Sequence, residues 1–255
     1  MTTQHAVYPD LEGKTVLISG GASGIGEFMV RAFAAQGAKV AFVDRAQSQG
    51  ERLAALLSSQ GRTVEFVQCD ITDEIAYKAA IARFEHSLGP ISVLVNNAAN
   101  DVRHTLEEVD SDTFDKLISV NLKHAFFAAK AVVPMMKSAG GGSIINLGSV
   151  GWMMASAGYP VYAASKAAAH GMTRALAREL GPSQIRVNTL VPGWVMTEKQ
   201  LAMWVDDDAK ALIARSQCLP GSVLPEHIAD MALFLASDAS AMCSAQNFIV
   251  DGGWV

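Results

Sequence analysis

The chain has 255 residues, half of them hydrophobic and 18% charged, with a formal net charge of −5 at pH 7. That length fits one large α/β domain and leaves no room for a separate substrate domain, so a single domain over residues 1–255 is expected, with cofactor and substrate sharing one core. The acidic balance gives no broad attraction for nucleic acid or anionic lipid, and the expected partner is a small molecule.

In chain order, the amino-terminal stretch through Lys14 carries no apolar leader or cleavage pattern, which predicts a cytoplasmic location. Short apolar, β-branched runs then recur at Thr15–Ser19, Val40–Val43, Val64–Val67, Val93–Val95, Ser143–Leu147, Ile185–Val191 and Phe248–Val250. These read as buried strands. Alanine-rich stretches with helical spacing lie between them, at Gly26–Gln36, Ser48–Gln60, Asp73–Leu88, Ser111–Lys137 and Val161–Leu180. Uninterrupted apolar strands alternating with helices predict a Rossmann-type, doubly wound α/β domain with a mostly parallel seven-stranded sheet. Such a sheet binds ligands at the carboxyl ends of its strands. The most apolar helical segment, Ala125 to Met136, is interrupted by Lys130 and Pro134. It falls short of the roughly 20 residues that a membrane span needs. The least regular segment, 193–225, is read as a substrate lid, and its acidic run Asp206–Asp208 as a solvated helix start. Cys69, Cys218 and Cys243 are widely spaced, and the six histidines share no ligand spacing, so no metal is expected.

The first strand runs straight into Ser19-Gly20-Gly21-Ala22-Ser23-Gly24-Ile25-Gly26, where a helix begins. Glycines let the backbone turn tightly and approach a pyrophosphate, while the helix amino terminus supplies free N–H groups and a partial positive charge. Asp44 ends the second strand, where a carboxylate accepts hydrogen bonds from the adenosine ribose and repels the extra phosphate of NADP. NAD is therefore the expected cofactor, and the neutral Ser23 points the same way. Arg45 is the one nearby cation that could serve a 2′-phosphate. Asp70-Ile71 after the third strand, and Asn97-Ala98 after the fourth, are further candidates for the cofactor, although strand-end turns also favour such residues.

The turn Ser19 to Gly26, with Asn96 to Ala99, Asn121, Ser149, Tyr162-x-x-x-Lys166 and Pro192-Gly193, resembles the short-chain dehydrogenase/reductase family along the whole chain. The resemblance implies a catalytic set of Asn121, Ser149, Tyr162 and Lys166. It adds Tyr162, Lys166, Pro192, Gly193, Val195 and Thr197 to the cofactor site. Tyr162 and Lys166 share one helix face, and stabilising a phenolate near neutral pH asks for about 3 pK units, or roughly 4 kcal/mol. Tyr162 would take the proton of a substrate hydroxyl, Ser149 would hold the same oxygen, and Asn121 would support a water-linked path from Lys166.

Within the family the chain resembles bacterial NAD-dependent aldose 1-dehydrogenases, those for D-xylose or L-arabinose. The resemblance rests on Tyr8-Pro9, on Asn97-x-x-Asn100-Asp101-x-Arg103-His104, on Asn121-Leu122-x-His124, on Val191 to Thr197 and on Gln217-Cys218-Leu219. It implies oxidation of an aldose, a pentose by preference, to its lactone. Asn100, Asp101, His104, Ser149, Trp152, Trp194 and Gln200 become the candidate substrate residues, since sugar hydroxyls that lose water must be paired again. Two alternatives stay open: a more lipophilic secondary alcohol, suggested by Met153, Met154, Met196 and Met203, and a non-catalytic NAD(H)-sensing module. Relatives of this type imply a homotetramer, and an apolar end at Phe248–Val255 offers a surface for a partner subunit.

Overall fold

Each of the seven apolar runs forms a strand in the computed structural model, which describes residues 6–255; residues 1–5, part of the stretch in which no leader is expected, lie outside it. The strands are β1 (Thr15–Ser19), β2 (Lys39–Asp44), β3 (Val64–Gln68), β4 (Ile91–Asn96), β5 (Gly142–Leu147), β6 (Ile185–Pro192) and β7 (Asn247–Val250). They lie in the order β3-β2-β1-β4-β5-β6-β7, and every pair is parallel. The expected "mostly parallel" sheet is thus wholly parallel, because every connection between neighbouring strands is a crossover.

Successive side chains of a strand point to opposite faces, and β1 shows why its run is apolar without a break. Val16 and Ile18 enter a core beneath α1 (Gly24–Ala35) and α2 (Gln47–Ser59), whereas Leu17 enters the opposite core, beneath α3 (Glu74–Leu88). The long helical stretch expected at Ser111–Lys137 is divided. It comprises α4 (Ser111–Ile118), a π-helical turn at Ser119–Lys123 and α5 (His124–Ser138). An extra residue in one turn changes which main-chain groups are paired, and such turns gather at functional sites. The sixth helix, α6 (Pro160–Leu180), follows β5, and α7 (Glu198–Met203) and α8 (Asp207–Ser216) occupy the segment after β6.

A helix that the sequence reading passed over, α9 (Pro225–Ala236), completes the first core with Ile228, Ala229, Ala232, Leu233 and Leu235, and packs beside α1. Its residues are apolar on most sides, which suits a buried helix and blurs the amphipathic period by which helices are recognised. The acidic run does start a helix, with the Asp206 carboxylate accepting from the Ala209 amide at 2.8 Å. All three cysteines are free, and no helix among the described residues is long and apolar enough to cross a membrane. The chain leaves β1 for one side of the sheet and reaches β4 on the other, which opens a crevice between their carboxyl ends.

Candidate active site

A cleft of about 670 Å³ occupies that crevice. At one end lies the glycine turn. Gly20 has φ +68, and a Cβ there would stand 2.9 Å from the Ala98 Cα. At Gly26 a Cβ would meet the Gly20 carbonyl oxygen at 1.8 Å and Asn97 Nδ2 at 2.7 Å, so only glycine lets the helix start this close to the turn. Asn97 braces the turn: its Nδ2 donates to the carbonyls of Ser19 at 3.0 Å and Gly20 at 2.9 Å. The buried Ser19 hydroxyl in turn accepts from the Asn97 and Ala98 amides at 3.1 Å each.

Ser23 precedes α1 without a side-chain cap, which leaves first-turn amides to a ligand. The Asp44 carboxylate is set beside them, accepting from the Ala22 and Ala46 amides at 3.0 Å each. A glycine cradle, an uncapped helix start and a fixed carboxylate together fit a dinucleotide, whose pyrophosphate lies on the helix and whose ribose meets the acid.

The other end belongs to α6 and the end of β5. Lys166 is buried, and its Nζ donates to the Leu147 carbonyl at 2.7 Å while standing 5.7 Å from the centroid of the Tyr162 ring. Ser149 accepts from the Gly151 amide at 3.1 Å, and its hydroxyl lies close enough to the Tyr162 phenol to favour the phenolate. The expected pull of Lys166 on the phenol is not what the protein atoms alone produce. Burial pushes Tyr162 up to about 12, against the influence of the Ser149 hydroxyl and with the charge of Asp101 adding to the rise. Burial also pulls Lys166 down to about 8, against the charge of Asp101. Both groups are desolvated, and each therefore resists its charged form.

Most of the expected residues line this cleft: Gly20, Ser23, Ile25, Gly26, Asp44, Asp70, Ile71, Asn97, Ala98, Asn100, Asp101, Ser149, Tyr162, Lys166, Pro192, Gly193, Trp194, Val195, Thr197 and Gln200. Four stand back from it. Gly24 turns the chain with φ +53 beneath the Thr197 side chain. Asn121, in the π turn, holds the main chain of Asn100, accepting from its amide at 2.8 Å and donating to its carbonyl at 3.0 Å. Expected among the substrate contacts, His104 is instead a buried tie, its Nδ1 3.0 Å from the Val102 carbonyl and its Nε2 accepting from the Val161 amide at 3.4 Å at the start of α6. Trp152 closes the short turn Val150–Trp152 outside the cleft lining.

A family model described as enoyl-(acyl carrier protein) reductase matches residues 20–255. The chain is 44% identical over 249 residues to a D-xylose 1-dehydrogenase of Caulobacter vibrioides, with 98% of each chain covered. It is 42% identical to a Rhizobium meliloti protein named "Probable galactose dehydrogenase", with 99% of each covered. Among solved structures it resembles a gluconate 5-dehydrogenase from Burkholderia cenocepacia in complex with NADP and tartrate. That match has a TM-score of 0.90 and 31% identity, and covers 96% of this chain and 97% of the other.

The chain belongs to the short-chain dehydrogenase/reductase family. It is a short-chain dehydrogenase acting on a CH–OH donor with a nicotinamide cofactor.

The dehydrogenase site also includes Asn146, Thr173 and Thr189, which no sequence motif marked, together with a role for Asn96 that its motif did not announce. A buried polar ladder lies under the reacting end: Asn96 Nδ2 donates to Asn146 Oδ1 at 2.8 Å, and Asn146 Nδ2 to Thr173 Oγ1 at 2.9 Å. Thr189 Oγ1 is also bonded to Thr173 Oγ1, at 2.9 Å. The ladder joins β4, β5 and β6 to α6, and so fixes the helix that carries Tyr162 and Lys166. Asn96 and Asn146 interrupt apolar strands, and that was the available signal.

Over the mouth, Lys199 Nζ meets Asp101 Oδ1 at 2.5 Å, Gln200 Nε2 donates to Asp101 Oδ2 at 2.9 Å, and Trp194 Nε1 donates to Gln200 Oε1 at 3.0 Å. Burial would lift the Asp101 carboxyl, yet the hydrogen bond and charge of Lys199, with the Gln200 amide, hold it below the ordinary carboxylate value. The Arg103 guanidinium stacks 4.1 Å from the Tyr159 ring centroid and 5.2 Å from that of Trp204. The contacts of Asp101 and Arg103 join residues some 50 to 100 positions apart, and nothing in local spacing announces them.

Proposed function

We propose that this dehydrogenase oxidises the anomeric hydroxyl of an aldose, a pentose by preference, to the lactone, with NAD as cofactor. The observation that carries the reading is the polar network of Asp101, Lys199, Gln200 and Trp194 on the same cleft as Ser149 and Tyr162. A ligand with many hydroxyls needs such partners when it leaves water. The D-xylose and galactose dehydrogenases named above support the same substrate class. Of the four methionines that suggest a more lipophilic alcohol, Met154 lines the cleft while Met203 is exposed, which weakens that alternative. The segment 193–225 acts as the lid, closed on itself by the Val195–Val223 bridge and held to the rest of the domain through the Asp101 contacts.

In this reading Tyr162 accepts the proton of the anomeric hydroxyl, and Ser149 holds the same oxygen by hydrogen bonding. Lys166 supplies positive charge beneath the phenol, and Asn121 acts at one remove by fixing Asn100. A bound nicotinamide cofactor, held by the glycine turn and Asp44, would supply the hydride acceptor.

A panel of pentoses, hexoses, uronates and simple secondary alcohols, each assayed with NAD and with NADP, tests the proposal. Aldose turnover with NAD is expected to dominate; an enzyme that turns over only an apolar alcohol would refute the substrate class.

The preference for NAD rests on Asp44, whose carboxylate is fixed where the 2′-hydroxyl of the adenosine ribose belongs. Arg45 is turned toward Asp70, with 3.8 Å between Nη1 and Oδ2, rather than toward that position. Asp44→Ala is expected to lower the NAD-to-NADP ratio of kcat/KM by about 10- to 100-fold, the worth of a hydrogen bond to a charged group. An unchanged ratio would remove Asp44 from cofactor selection.

We also assign a cytoplasmic location, in keeping with three free thiols, and a homotetramer. Phe114, Phe126, Ile249 and Val255 are exposed apolar residues that subunit contacts would cover. A monomer by light scattering at micromolar concentration would contradict the assembly.

A further inference from the structure

Four cationic side chains line the cleft, and three of them already have acceptors. Arg45 is turned to Asp70 at 3.8 Å, Lys166 donates to the Leu147 carbonyl at 2.7 Å, and Lys199 meets Asp101 at 2.5 Å. Arg103 is the exception. Its guanidinium touches aromatic rings, and among the described residues it makes neither a hydrogen bond nor an ion pair.

Arg103 is nevertheless held in place. Its guanidinium carbon lies 4.1 Å from the Tyr159 ring centroid and 5.2 Å from that of Trp204, the residue that closes α7 in the lid. The next residue, His104, is buried, and its amide donates to the Gly158 carbonyl at 2.8 Å, which docks this loop beside the start of α6. A guanidinium held over a ring still has N–H donors along its free edges. Those donors stand on a cleft wall shared with Asp101, Ser149 and Tyr162. Tyr159 packs against Tyr162 with 5.4 Å between centroids, so one aromatic ring separates the guanidinium from the phenol that receives the substrate proton.

Oxidation of a sugar at its anomeric carbon needs more than a grip on the reacting oxygen. The other ring hydroxyls also leave water, and each must find a partner again. We propose that Arg103 is a specificity-determining residue, donating hydrogen bonds to the sugar hydroxyls remote from the anomeric carbon, and that Trp204 of the lid is its positioning residue. This rests on the aldose dehydrogenase reading above. With Ser149 and Tyr162 at the anomeric oxygen, a guanidinium one ring further along the same wall meets the far side of the sugar. Its planar fork can serve two neighbouring hydroxyls at once, where a lysine would offer a single point of charge. The two ring contacts fix the fork before the ligand arrives, so less side-chain freedom is lost on binding.

The test compares the aldose that the wild-type enzyme oxidises best with its 3-deoxy and 4-deoxy analogues, in the wild type, Arg103→Met and Trp204→Leu. In the wild type, removing a hydroxyl that Arg103 reads should lower kcat/KM by about 10- to 100-fold, mostly through KM. Arg103→Met should lower kcat/KM for the parent aldose by a similar factor, and that deoxy analogue should then match the parent to within about threefold. Trp204→Leu should move both values in the same direction by a smaller factor. NADH binding within about twofold of wild type shows that each variant is folded. A wild type indifferent to both hydroxyls, or a folded Arg103→Met enzyme that discriminates against the analogues as strongly as the wild type does, overturns the assignment whatever the overall rate. So does a wild type that prefers uronates to neutral aldoses and loses this preference in Arg103→Met, since the fork then reads a carboxylate. If instead the wild-type enzyme makes NADH from no aldose, the substrate reading itself has failed.

Discussion

Tyr162→Phe is expected to lower kcat by about 10³- to 10⁴-fold while leaving the affinity for NADH within about twofold of wild type. The phenol is the group placed to take the substrate proton, and its ring is held independently of its hydroxyl. Tyr159 packs edge-on against it with 5.4 Å between centroids, and α6 is anchored below by Thr173 and Lys166. Phenylalanine therefore fits without repacking. Enclosure pushes Tyr162 up to about 12 and Lys166 down to about 8, so the proton acceptor depends on positive charge being kept beneath it. Rates of oxidation should rise with pH as the phenol loses its proton, and Lys166→Met should move that limb to higher pH. Steady-state kinetics across a pH series, with NADH binding followed by fluorescence, checks both statements. Full turnover by Tyr162→Phe would remove Tyr162 from the role of proton acceptor.

Gly26→Ala should cost nearly as much for a different reason. The added methyl would lie 1.8 Å from the Gly20 carbonyl oxygen and 2.7 Å from Asn97 Nδ2, and the first of these is backbone that cannot step aside cheaply. The turn and its Asn97 brace must move together, at about 2–3 kcal/mol. Because these same atoms cradle the pyrophosphate, the affinity for NAD should fall by about 100-fold. The melting temperature should drop by about 4–10 °C. Gly171→Ala provides the contrast. It lies within α6, a Cβ there meets nothing within 4 Å, and the change should stabilise the helix by about 0.4–1 kcal/mol. Calorimetry and NAD titration of the two variants separate them. Equal behaviour would show that the close approach at Gly26 is relieved elsewhere.

Both predictions concern positions that the amino-acid sequence marks by itself, and the reason is that their requirements are local. A strand buried on both faces must be apolar throughout, as Thr15–Ser19 is, and a tight turn into a helix must carry glycine, as at Gly20 and Gly26. Tyr162 and Lys166 share a helix face by their spacing alone. The seven-stranded doubly wound sheet, the glycine turn with Asp44 and the tyrosine–lysine pair could therefore be read from residue order. Features that depend on distant partners could not. Asn121 turns out to grip Asn100 from a π-helical turn, His104 ties a loop to the start of α6 instead of facing the cleft, and α9 hides its period because it is buried nearly all round. The union of Asp101 with Lys199 and Gln200 and the stacking of Arg103 on Tyr159 and Trp204 arise only when separate elements close on one another. Local spacing determined where a cofactor and a proton acceptor would lie. Tertiary packing decided the mouth of the cleft and the surroundings of the buried charges, because desolvation and long-range pairing depend on which elements become neighbours.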